Sequence, residues 1–140
     1  MDKSLKLEVV TPDRLVVSKE VEYVGAPGIL GEFGVLPSHI PFLSALGIGS
    51  LYYKMDGKKF FVFVAGGFAE VMPDKVTVLA EVAELPEEID LDKAQTAKER
   101  AEERLAQQKE EQDWAKTRAS LMRNIARMQT RESASAAGTL

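Results

Sequence analysis

Hydrophobic residues between positions 5 and 83 occur in short runs, many of which alternate with polar residues. Leu5, Leu7 and Val9, for example, alternate with charged residues, which is typical of a strand with one buried face. Gly, Pro or Asp interrupts these runs about every ten residues, and Asp56-Gly57 predicts a two-residue hairpin turn of type I′. The pattern predicts roughly eight to ten short strands before residue 86, arranged as a sandwich or a closed barrel.

The pattern changes after Pro86, where no further proline occurs and Ala, Glu, Gln, Lys and Arg, all good helix formers, dominate. We expect one helix over roughly residues 90–111, with Asp90 as its N-cap, and a second over roughly residues 113–131, capped by Asp113. Because neither Gly nor Pro marks the joint between them, a single continuous helix is the alternative. The small-residue tail after the second helix is expected to fray.

Both predicted helices have one apolar face when residues are placed at 100° intervals. The first has a stripe of mostly small residues, formed by Ala94, Ala97, Ala101 and Leu105. The second has a face of larger side chains, formed by Trp114, Leu121, Ile125 and Met128. Small side chains allow helix axes to approach closely, so these two faces predict an antiparallel helical hairpin.

Each helix also carries a stripe of cations. In the first helix the stripe consists of Lys93, Arg100 and Arg104, and in the second of Lys116, Arg123, Arg127 and Arg131. Three interpretations stay open: solvated faces supported by i,i+4 ion pairs, an attachment surface for an acidic partner, or a site for phosphate or carboxylate groups where the stripes converge. Arginine suits such anions because its planar guanidinium offers a fork of donors.

Composition narrows the class of protein. Among 140 residues, the formal net charge of -4 argues against a nucleic-acid binder, and the absence of cysteine excludes disulfides and thiolate chemistry. No apolar run approaches the roughly 20 residues that span a bilayer. The first residues have the character of neither a signal peptide nor a transit peptide. We therefore expect membrane association only through a partner.

Catalytic or metal-binding constellations are not visible in the sequence. His39 is the only histidine, and the sequence places no partner that would make it a general base, so we expect a structural or surface histidine and no metal site. The glycine-rich residues 28–34 lack the Lys-Ser/Thr of a phosphate loop and instead favour turns between strands. A hydrolase is disfavoured because no set of acid, base and nucleophile is visible.

Three motifs follow one another in the first part of the chain: residues 31–43 (GEFGVLPSHIPFL), 66–71 (GGFAEV) and 76–81 (VTVLAE). With these motifs the chain resembles the epsilon subunit of F-type ATP synthases of the bacterial type, from the first strand to about residue 131. The resemblance implies a mainly β plus α fold. An N-terminal ten-stranded flattened β-sandwich, residues 1–86, is expected to precede a C-terminal two-helix antiparallel hairpin, residues 87–140.

The same resemblance implies a non-catalytic subunit of the central stalk, or rotor, that couples ion flow through the c-subunit ring to ATP synthesis. The implied partners are the gamma subunit and the c ring, bound by residues 1–86, and the beta and alpha subunits of the catalytic head, with no nucleic acid. The family's C-terminal helices extend toward that head and inhibit ATP hydrolysis. The implied location is peripheral, on the cytoplasmic face of the bacterial inner membrane.

Site residues are also implied by the resemblance. Candidates for contact with the c ring are Glu32 and His39, and candidates for contact with beta are Lys116, Arg123, Arg127 and Arg131. No cofactor is required, but some bacterial members bind ATP as a regulatory ligand on the folded hairpin. The matching residues here are Glu84, Ile89, Asp90, Lys93, Ala94, Arg100, Arg123 and Arg127. Lys93 replaces an arginine of the family motif and lacks its planar fork, so weaker ATP binding is expected.

A free-standing nucleotide sensor that uses only the hairpin is the rival hypothesis. It is disfavoured because the β part, which carries the strongest family motifs, would then have no role.

Overall fold

The computed structural model of the chain describes residues 4–107 and 111–140. Within them, eight strands precede two helices. The strands are β1 (Leu5–Val10), β2 (Leu15–Val21), β3 (Tyr23–Gly28), β4 (Gly31–Val35), β5 (Phe42–Ala45), β6 (Ile48–Met55), β7 (Lys58–Val71) and β8 (Lys75–Glu84). A 3₁₀ turn at Pro86–Glu88 leads to the helices α1 (Leu91–Gln107) and α2 (Glu111–Ala137). The expected β-sandwich followed by two helices is confirmed, although the described residues form eight strands and not ten.

The long strand β7 accounts for the smaller number of strands. Its residues 58–65 pair with β6 and its residues 68–71 pair with β5, so one strand serves both halves of the sheet. Gly66 and Gly67, at the crossing point, have φ angles of 74° and 103°, which glycine adopts without strain. A side chain at Gly67 would also collide with the carbonyl of Leu79. These glycines therefore let a single strand bend from one half to the other.

The sheet runs in the order β2-β1-β8-β7-β6-β3-β4, with β5 beside the second part of β7. Side chains from both ends of this order share one hydrophobic core, for example the fully buried Leu5 and Leu7 of β1, Val24 of β3 and Leu51 of β6. The two halves of the sheet consequently face each other as a sandwich. Full burial of each such side chain stabilises the fold by about 1.5–3 kcal/mol.

Two local predictions for the β part are confirmed. In β1 the alternating residues Leu5, Leu7 and Val9 are buried and their neighbours are half-buried. Between β6 and β7, Asp56 and Gly57 have φ angles of 54° and 75°, and positive φ at both central positions defines the type I′ turn.

The two helices pack against each other as an antiparallel hairpin. Arg104, late in α1, lines one groove with Lys116, early in α2, whereas Lys93, early in α1, lines another with Arg127, late in α2. Asp90 caps α1 as expected, because its carboxylate accepts the backbone N–H of Lys93 at 3.0 Å. Over its described residues, neither helix combines the length and the apolar character needed to cross a bilayer.

The predicted joint between the helices is wrong in its position. We expected a break near residues 112–113 with Asp113 as the cap, but α2 begins at Glu111 and continues through Asp113. Asp113 thus lies inside the helix and is not its N-cap. Residues 108–110, which the first helix was expected to include, lie outside the described residues.

The predicted apolar face of α2 is wrong for Trp114 and is only partly buried at its other three residues. Trp114 is 43% exposed, and Leu121, Ile125 and Met128 are only half-buried. The buried residues of α2 are instead small or polar, namely Thr117, Asn124, Ala126, Thr130 and Ala134. The physical reason is that α2 packs on α1 and on strands β6 and β7 at once. It therefore buries two narrow stripes of small residues instead of one broad apolar face.

The C-terminal tail is ordered as helix, so the prediction that it frays is wrong. Helix α2 ends at Ala137, after which Gly138 has a φ of 72° and the N–H of Thr139 donates to the carbonyl of Ala134 at 2.9 Å. This pattern is a glycine C-cap of the Schellman type. The hydroxyl of Thr139 also donates to the carbonyl of Lys59 at 2.7 Å, which attaches the end of the helix to β7.

Candidate ligand groove and contact surfaces

Arg127 connects α2 to the β part of the molecule. Its Nε donates to a carboxylate oxygen of Glu84, at the end of β8, at 2.7 Å. Its guanidinium lies over the ring of Phe63, 4.8 Å from the centroid. The two side chains of the ion pair are 23% and 31% exposed, so the pair is partly shielded from water. Ion pairs and cation–π contacts of this kind are stronger when partly desolvated.

Two further polar contacts lie at this interface. The hydroxyls of Ser50 in β6 and Thr130 in α2 are 2.5 Å apart. Because Thr130 donates its own hydrogen to the carbonyl of Ala126 at 2.8 Å, Ser50 is the donor between the hydroxyls. Arg131 donates from Nη1 to the carbonyl of Ile89 at 2.9 Å. We call these contacts, together with Arg127–Glu84, the hairpin–sheet interface.

The structure changes the interpretation of the basic stripe on α2. Arg127 and Arg131 turn toward the β part and toward residues 85–90, which we call the linker, and there they are half-buried and hydrogen-bonded. A fully solvated stripe is therefore wrong for these two residues. Lys116 is exposed and Arg123 is half-buried. Contact of Lys116, Arg123, Arg127 and Arg131 with beta stays a prediction, and Arg127 and Arg131 would have to leave their present partners to make it.

A groove of about 430 Å³ lies between the linker, α1 and α2. Its lining consists of Glu84, Glu88, Ile89, Asp90, Lys93, Ala94, Ala97, Asn124 and Arg127. Six of the candidate ATP-binding residues are therefore brought together, namely Glu84, Ile89, Asp90, Lys93, Ala94 and Arg127. We call this the acidic groove, because three of its side chains are carboxylates. Ile89 and Ala94 are each 4% exposed and form its floor.

The carboxylates of the acidic groove are held by neighbours. Glu88 accepts a hydrogen bond from Arg14 at 2.7 Å and another from the backbone N–H of Leu85 at 2.8 Å. The bond from Arg14 is the main reason why the pKa of Glu88 is lowered, and the bond from Leu85 adds to it. Asp90 is occupied by the helix cap and Glu84 by Arg127. These contacts fix the shape of the groove.

A second groove, of about 320 Å³, continues along the hairpin and shares Ala97 with the first. Three cations, Arg100, Arg104 and Lys116, line it together with the hydroxyls of Thr117 and Ser120. In the described part of the chain no carboxylate lines it. We call it the basic groove. The convergence of cations from the two helices, one of the open interpretations, is realised here.

Sequence reasoning missed part of this arrangement. Lys116 was assigned to a contact with beta, but the structure places it beside Arg100, which was predicted to contact ATP. The predicted antiparallel hairpin already implied that Lys116 lies near the cations of α1, since a residue early in α2 must face a residue late in α1. Thr117 and Ser120 carried no signal, because small hydroxyl residues are common on exposed helices. Arg123 is not among the described residues that line either groove.

The two candidates for contact with the c ring lie toward opposite ends of β4. Glu32 is exposed near the start of the strand and pairs with Pro27 of β3. His39 lies in the loop after the strand, where Nδ1 is 2.7 Å from the carbonyl of Ile40 and the ring packs on Phe42 at 5.3 Å between centroids. The expected structural role of His39 is thus visible, while Glu32 presents its carboxylate to solvent.

An exposed apolar surface lies on the outside of the sheet. Phe68 of β7 pairs with Leu79 of β8, and Leu43 of β5 points to the same face. These side chains are 54%, 57% and 68% exposed, respectively. Contiguous exposed apolar residues of this kind mark sites of protein–protein contact.

Two family models match the chain. The model described as ATP synthase, Delta/Epsilon chain, beta-sandwich domain matches residues 4–86. The model described as ATP synthase, Delta/Epsilon chain, long alpha-helix domain matches residues 87–132.

Among curated relatives, the chain is 66% identical over 134 residues to the ATP synthase epsilon chain of Nitratidesulfovibrio vulgaris, covering 96% of this chain and 100% of that one. It is 54% identical over 139 residues to the ATP synthase epsilon chain of Maridesulfovibrio salexigens, covering 99% of this chain and 98% of that one. A chain in the Euglena gracilis mitochondrial ATP synthase structure (OSCP/F1/c-ring) has a TM-score of 0.79 at 26% identity, with 94% and 81% covered. A chain of the Tetrahymena thermophila mitochondrial central stalk and c-ring has a TM-score of 0.57 at 13% identity, which shows likeness of fold alone.

Proposed function

The chain belongs to the family of ATP synthase epsilon chains, which are stalk subunits and not the catalytic subunit, and we propose that it regulates and couples a rotary ATP synthase. In this proposal the β part binds gamma and the c ring and transmits ion flow to ATP synthesis. The helical hairpin restrains ATP hydrolysis when it leaves the β part and reaches the alpha and beta subunits. The subunit is then a peripheral membrane protein on the cytoplasmic face of the bacterial inner membrane.

Two surfaces support the anchoring role of the β part. The exposed apolar surface of Leu43, Phe68 and Leu79 suits a permanent contact with gamma, because burial of such side chains favours association. The exposed carboxylate of Glu32 suits the polar loops of the c ring, where it can accept hydrogen bonds from basic or amide groups. His39 is the second candidate for that contact.

The polar character of the hairpin–sheet interface is the observation that carries the regulatory proposal. Arg127, Thr130 and Arg131 hold α2 through hydrogen bonds and one ion pair, with only a small apolar cluster around Phe63 beneath them. Neutral hydrogen bonds contribute about 0.5–1.5 kcal/mol each and bonds that involve a charged group about 1.5–3 kcal/mol, because water or another protein can replace the partner. Such an interface permits two packings of α2 with similar free energy, as a conformational switch requires.

Truncation after Glu88 in the intact enzyme tests this proposal. The cut removes both helices but keeps all eight strands and the Arg14–Glu88 bond. We expect the shortened subunit to assemble with gamma and the c ring and the rate of ATP hydrolysis to rise. Normal assembly with unchanged hydrolysis would show that the helices do not inhibit.

We propose further that ATP binds along the acidic and basic grooves in the folded hairpin. The carboxylates and backbone groups of the acidic groove suit the hydrogen-bond donors of a base and a ribose, whereas Arg100, Arg104 and Lys116 suit phosphates. ATP bound there would favour the folded packing, because a ligand shifts a conformational equilibrium toward the state that binds it better.

Calorimetric or NMR titration of the isolated subunit with ATP tests the ligand. Lys93→Arg should tighten binding roughly 3–10-fold, because the guanidinium restores a bidentate donor. Arg100→Ala should weaken it, and Arg118→Ala, which changes an exposed arginine outside both grooves, serves as the control. Absence of any response up to about millimolar ATP would contradict the proposal, since affinities weaker than this contribute little.

The rival hypothesis of a free-standing nucleotide sensor makes a different prediction. A pull-down from detergent-solubilised membranes should recover gamma and the c ring with this subunit if it belongs to the rotor. Recovery of the subunit alone would refute the rotor proposal and favour the sensor.

A further inference from the structure

The linker is held from two sides. From the helical side, Arg131 of α2 donates to the carbonyls of Pro86 at 3.2 Å and of Ile89 at 2.9 Å. From the β side, Arg14 in the loop between β1 and β2 donates from Nη2 to a carboxylate oxygen of Glu88 at 2.7 Å. Arg14 and Glu88 both lie outside α2, so this bond does not have to break when α2 leaves the β part. The linker therefore has an attachment to the β part that is independent of the helices.

The first four residues of the linker form a closed turn. The carboxylate of Glu88 accepts the backbone N–H of Leu85 at 2.8 Å, and the N–H of Glu88 donates to the carbonyl of Leu85 at 3.0 Å. Pro86, between them, is buried. Because the turn is closed by its own hydrogen bonds, one external bond at Glu88 is enough to hold all four residues in place.

The loop that carries Arg14 is closed in the same way. The N–H of Thr11 donates to the carbonyl of Arg14 at 2.9 Å, and the hydroxyl oxygen of Thr11 accepts the N–H of Arg14 at 3.2 Å. The backbone of Arg14 is thus fixed before its side chain reaches the linker. Less conformational entropy is lost when a bond joins two segments that are already ordered.

Helix α1 begins directly after the linker turn. The carboxylate of Asp90 accepts the N–H of Lys93, and its carbonyl accepts the N–H of Ala94, both at 3.0 Å. Asp90 is therefore fixed to α1, whereas Glu88 is fixed to the β part.

Ile89 is the one residue between these two units. Its backbone is extended, with φ of -86° and ψ of 119°. Its side chain is buried in a cluster that includes Phe63 of β7 and Ala126 of α2. When α2 leaves, Ile89 loses the bond from Arg131 and the α2 side of its packing. Rotation at Ile89 then redirects α1 and leaves the linker turn in place.

We infer that Arg14 is an anchor for the linker, which keeps residues 85–88 on the β part and makes the chain pivot at Ile89 when the hairpin leaves. This inference rests on the proposed function, because it presupposes that α2 undocks. A free linker would add four residues of reach to the moving helices, about 13 Å when extended. The anchor therefore limits how far and in which directions the hairpin extends.

Distances between pairs of spin labels in the full-length chain test the inference, because the chain has no cysteine of its own. One label is fixed at Lys19→Cys, on an exposed position of β2. The second is placed at Glu87→Cys, the linker label, or at Glu103→Cys, the α1 label; both positions are exposed. Glu103 lies roughly 20 Å along α1 from Asp90, so a swing of the hairpin should move the α1 label by more than about 10 Å.

Arg127→Ala combined with Arg131→Ala favours undocking, since these substitutions remove bonds from α2 to the β part and the linker. In this background we expect the α1 label to gain a second, shifted population of distances, while the linker label keeps a single one. Adding Arg14→Gln should give the linker label a shifted population as well. The increase should be at most about 5-fold, because the ion pair is exposed.

Lys75→Gln in the same background is the matched control. It breaks the exposed ion pair between Lys75 and Glu8, whose charged atoms are 2.6 Å apart, in the β part. It should leave both label distributions unchanged.

The outcomes separate the inference from the proposed function. If the α1 label does not shift in the undocking background, reversible docking is wrong and the pivot falls with it. If the linker label shifts together with the α1 label while Arg14 is present, the hairpin undocks but the pivot at Ile89 is refuted. If Arg14→Gln moves the linker label no more than Lys75→Gln does, Arg14 is not the anchor.

Discussion

The β core and the hairpin–sheet interface are built from different chemistry. The core consists of fully buried aliphatic side chains such as Leu5, Leu7 and Val62. The hairpin–sheet interface combines an arginine–glutamate pair, a pair of hydroxyls and an arginine that bonds to backbone carbonyls with only a small apolar cluster around Phe63. Apolar burial has no alternative partner in water, but each polar contact of α2 has one. One part of the molecule is therefore suited to permanent attachment and the other to reversible docking.

The largest expected effect comes from the β core. Leu7→Ala removes a fully buried side chain and should lower the free energy of unfolding by about 2–5 kcal/mol, through lost burial and the cavity that remains. Urea unfolding followed by circular dichroism measures this. Leu79→Ala is the matched control, because Leu79 is 57% exposed, and we expect a change below about 1 kcal/mol. Equal effects of the two substitutions would contradict the division between core and surface.

A smaller and more local effect is expected at Arg127. Arg127→Ala removes the bond to Glu84 and the contact with Phe63, and both partners are partly shielded. The docking of α2 should weaken by about 1–3 kcal/mol, so backbone amides of α2 should exchange hydrogen faster while those of β1 and β8 do not.

Arg118→Ala supplies the control for that experiment. Arg118 is exposed and lies over Trp114, at 5.6 Å from the ring, on the part of α2 that faces solvent. Its removal should leave the exchange rates of α2 next to the sheet unchanged. Faster exchange throughout the β core in Arg127→Ala would show that the two parts unfold as one unit and would remove the basis for reversible docking.

The hydroxyl pair gives a weaker effect again. Thr130→Val keeps the shape of the side chain but leaves Ser50 without its acceptor, which should cost about 1 kcal/mol of docking. Ser50→Ala should cost a similar amount, and the double variant should cost little more than either single one, because both remove the same bond. Hydrogen exchange of the backbone amides of α2 measures these costs. If the effects of Thr130→Val and Ser50→Ala add up in the double variant, the two hydroxyls act independently.

The β part was predictable from sequence because its buried and exposed residues alternate and its turns use residues with special φ angles. Leu5, Leu7 and Val9 lie where the alternation places them, and Asp56-Gly57 forms the expected turn. The buried face of α2 was not predictable in this way. Large apolar residues such as Trp114 suggested one face, whereas contact with two surfaces selected small residues such as Ala126 and Ala134.

The candidate site was predictable only in part, for a related reason. Asp90, Lys93 and Ala94 lie close together along the helix, so their clustering follows from sequence spacing. The approach of Arg127 to Glu84 depends on how α2 lies on the sheet, which no local pattern encodes.

The smallest expected effect concerns the linker between the two parts, where Arg14 of the β1–β2 loop bonds to Glu88. The pKa of Glu88 is lowered in the folded chain, chiefly by this bond. As the pH falls below about 4.5, Glu88 is protonated in the unfolded chain before it is protonated in the folded chain. The stability that the Arg14–Glu88 bond supplies is therefore lost as the pH falls through the folded pKa of Glu88. The side chains are 44% and 36% exposed, so the effect is modest.

We therefore expect the urea midpoint of the natural chain to fall between pH 5 and about pH 3 by more than that of Glu88→Gln. Arg14→Gln should reduce the pH dependence less than Glu88→Gln does, because Glu88 keeps the hydrogen bond from the backbone N–H of Leu85. Both variants should keep some dependence of the urea midpoint on pH, since Lys75 also lowers the pKa of Glu8 within the β part. If neither variant differs from the natural chain, the linker contact contributes nothing to stability and the hairpin is connected to the β part only through α2.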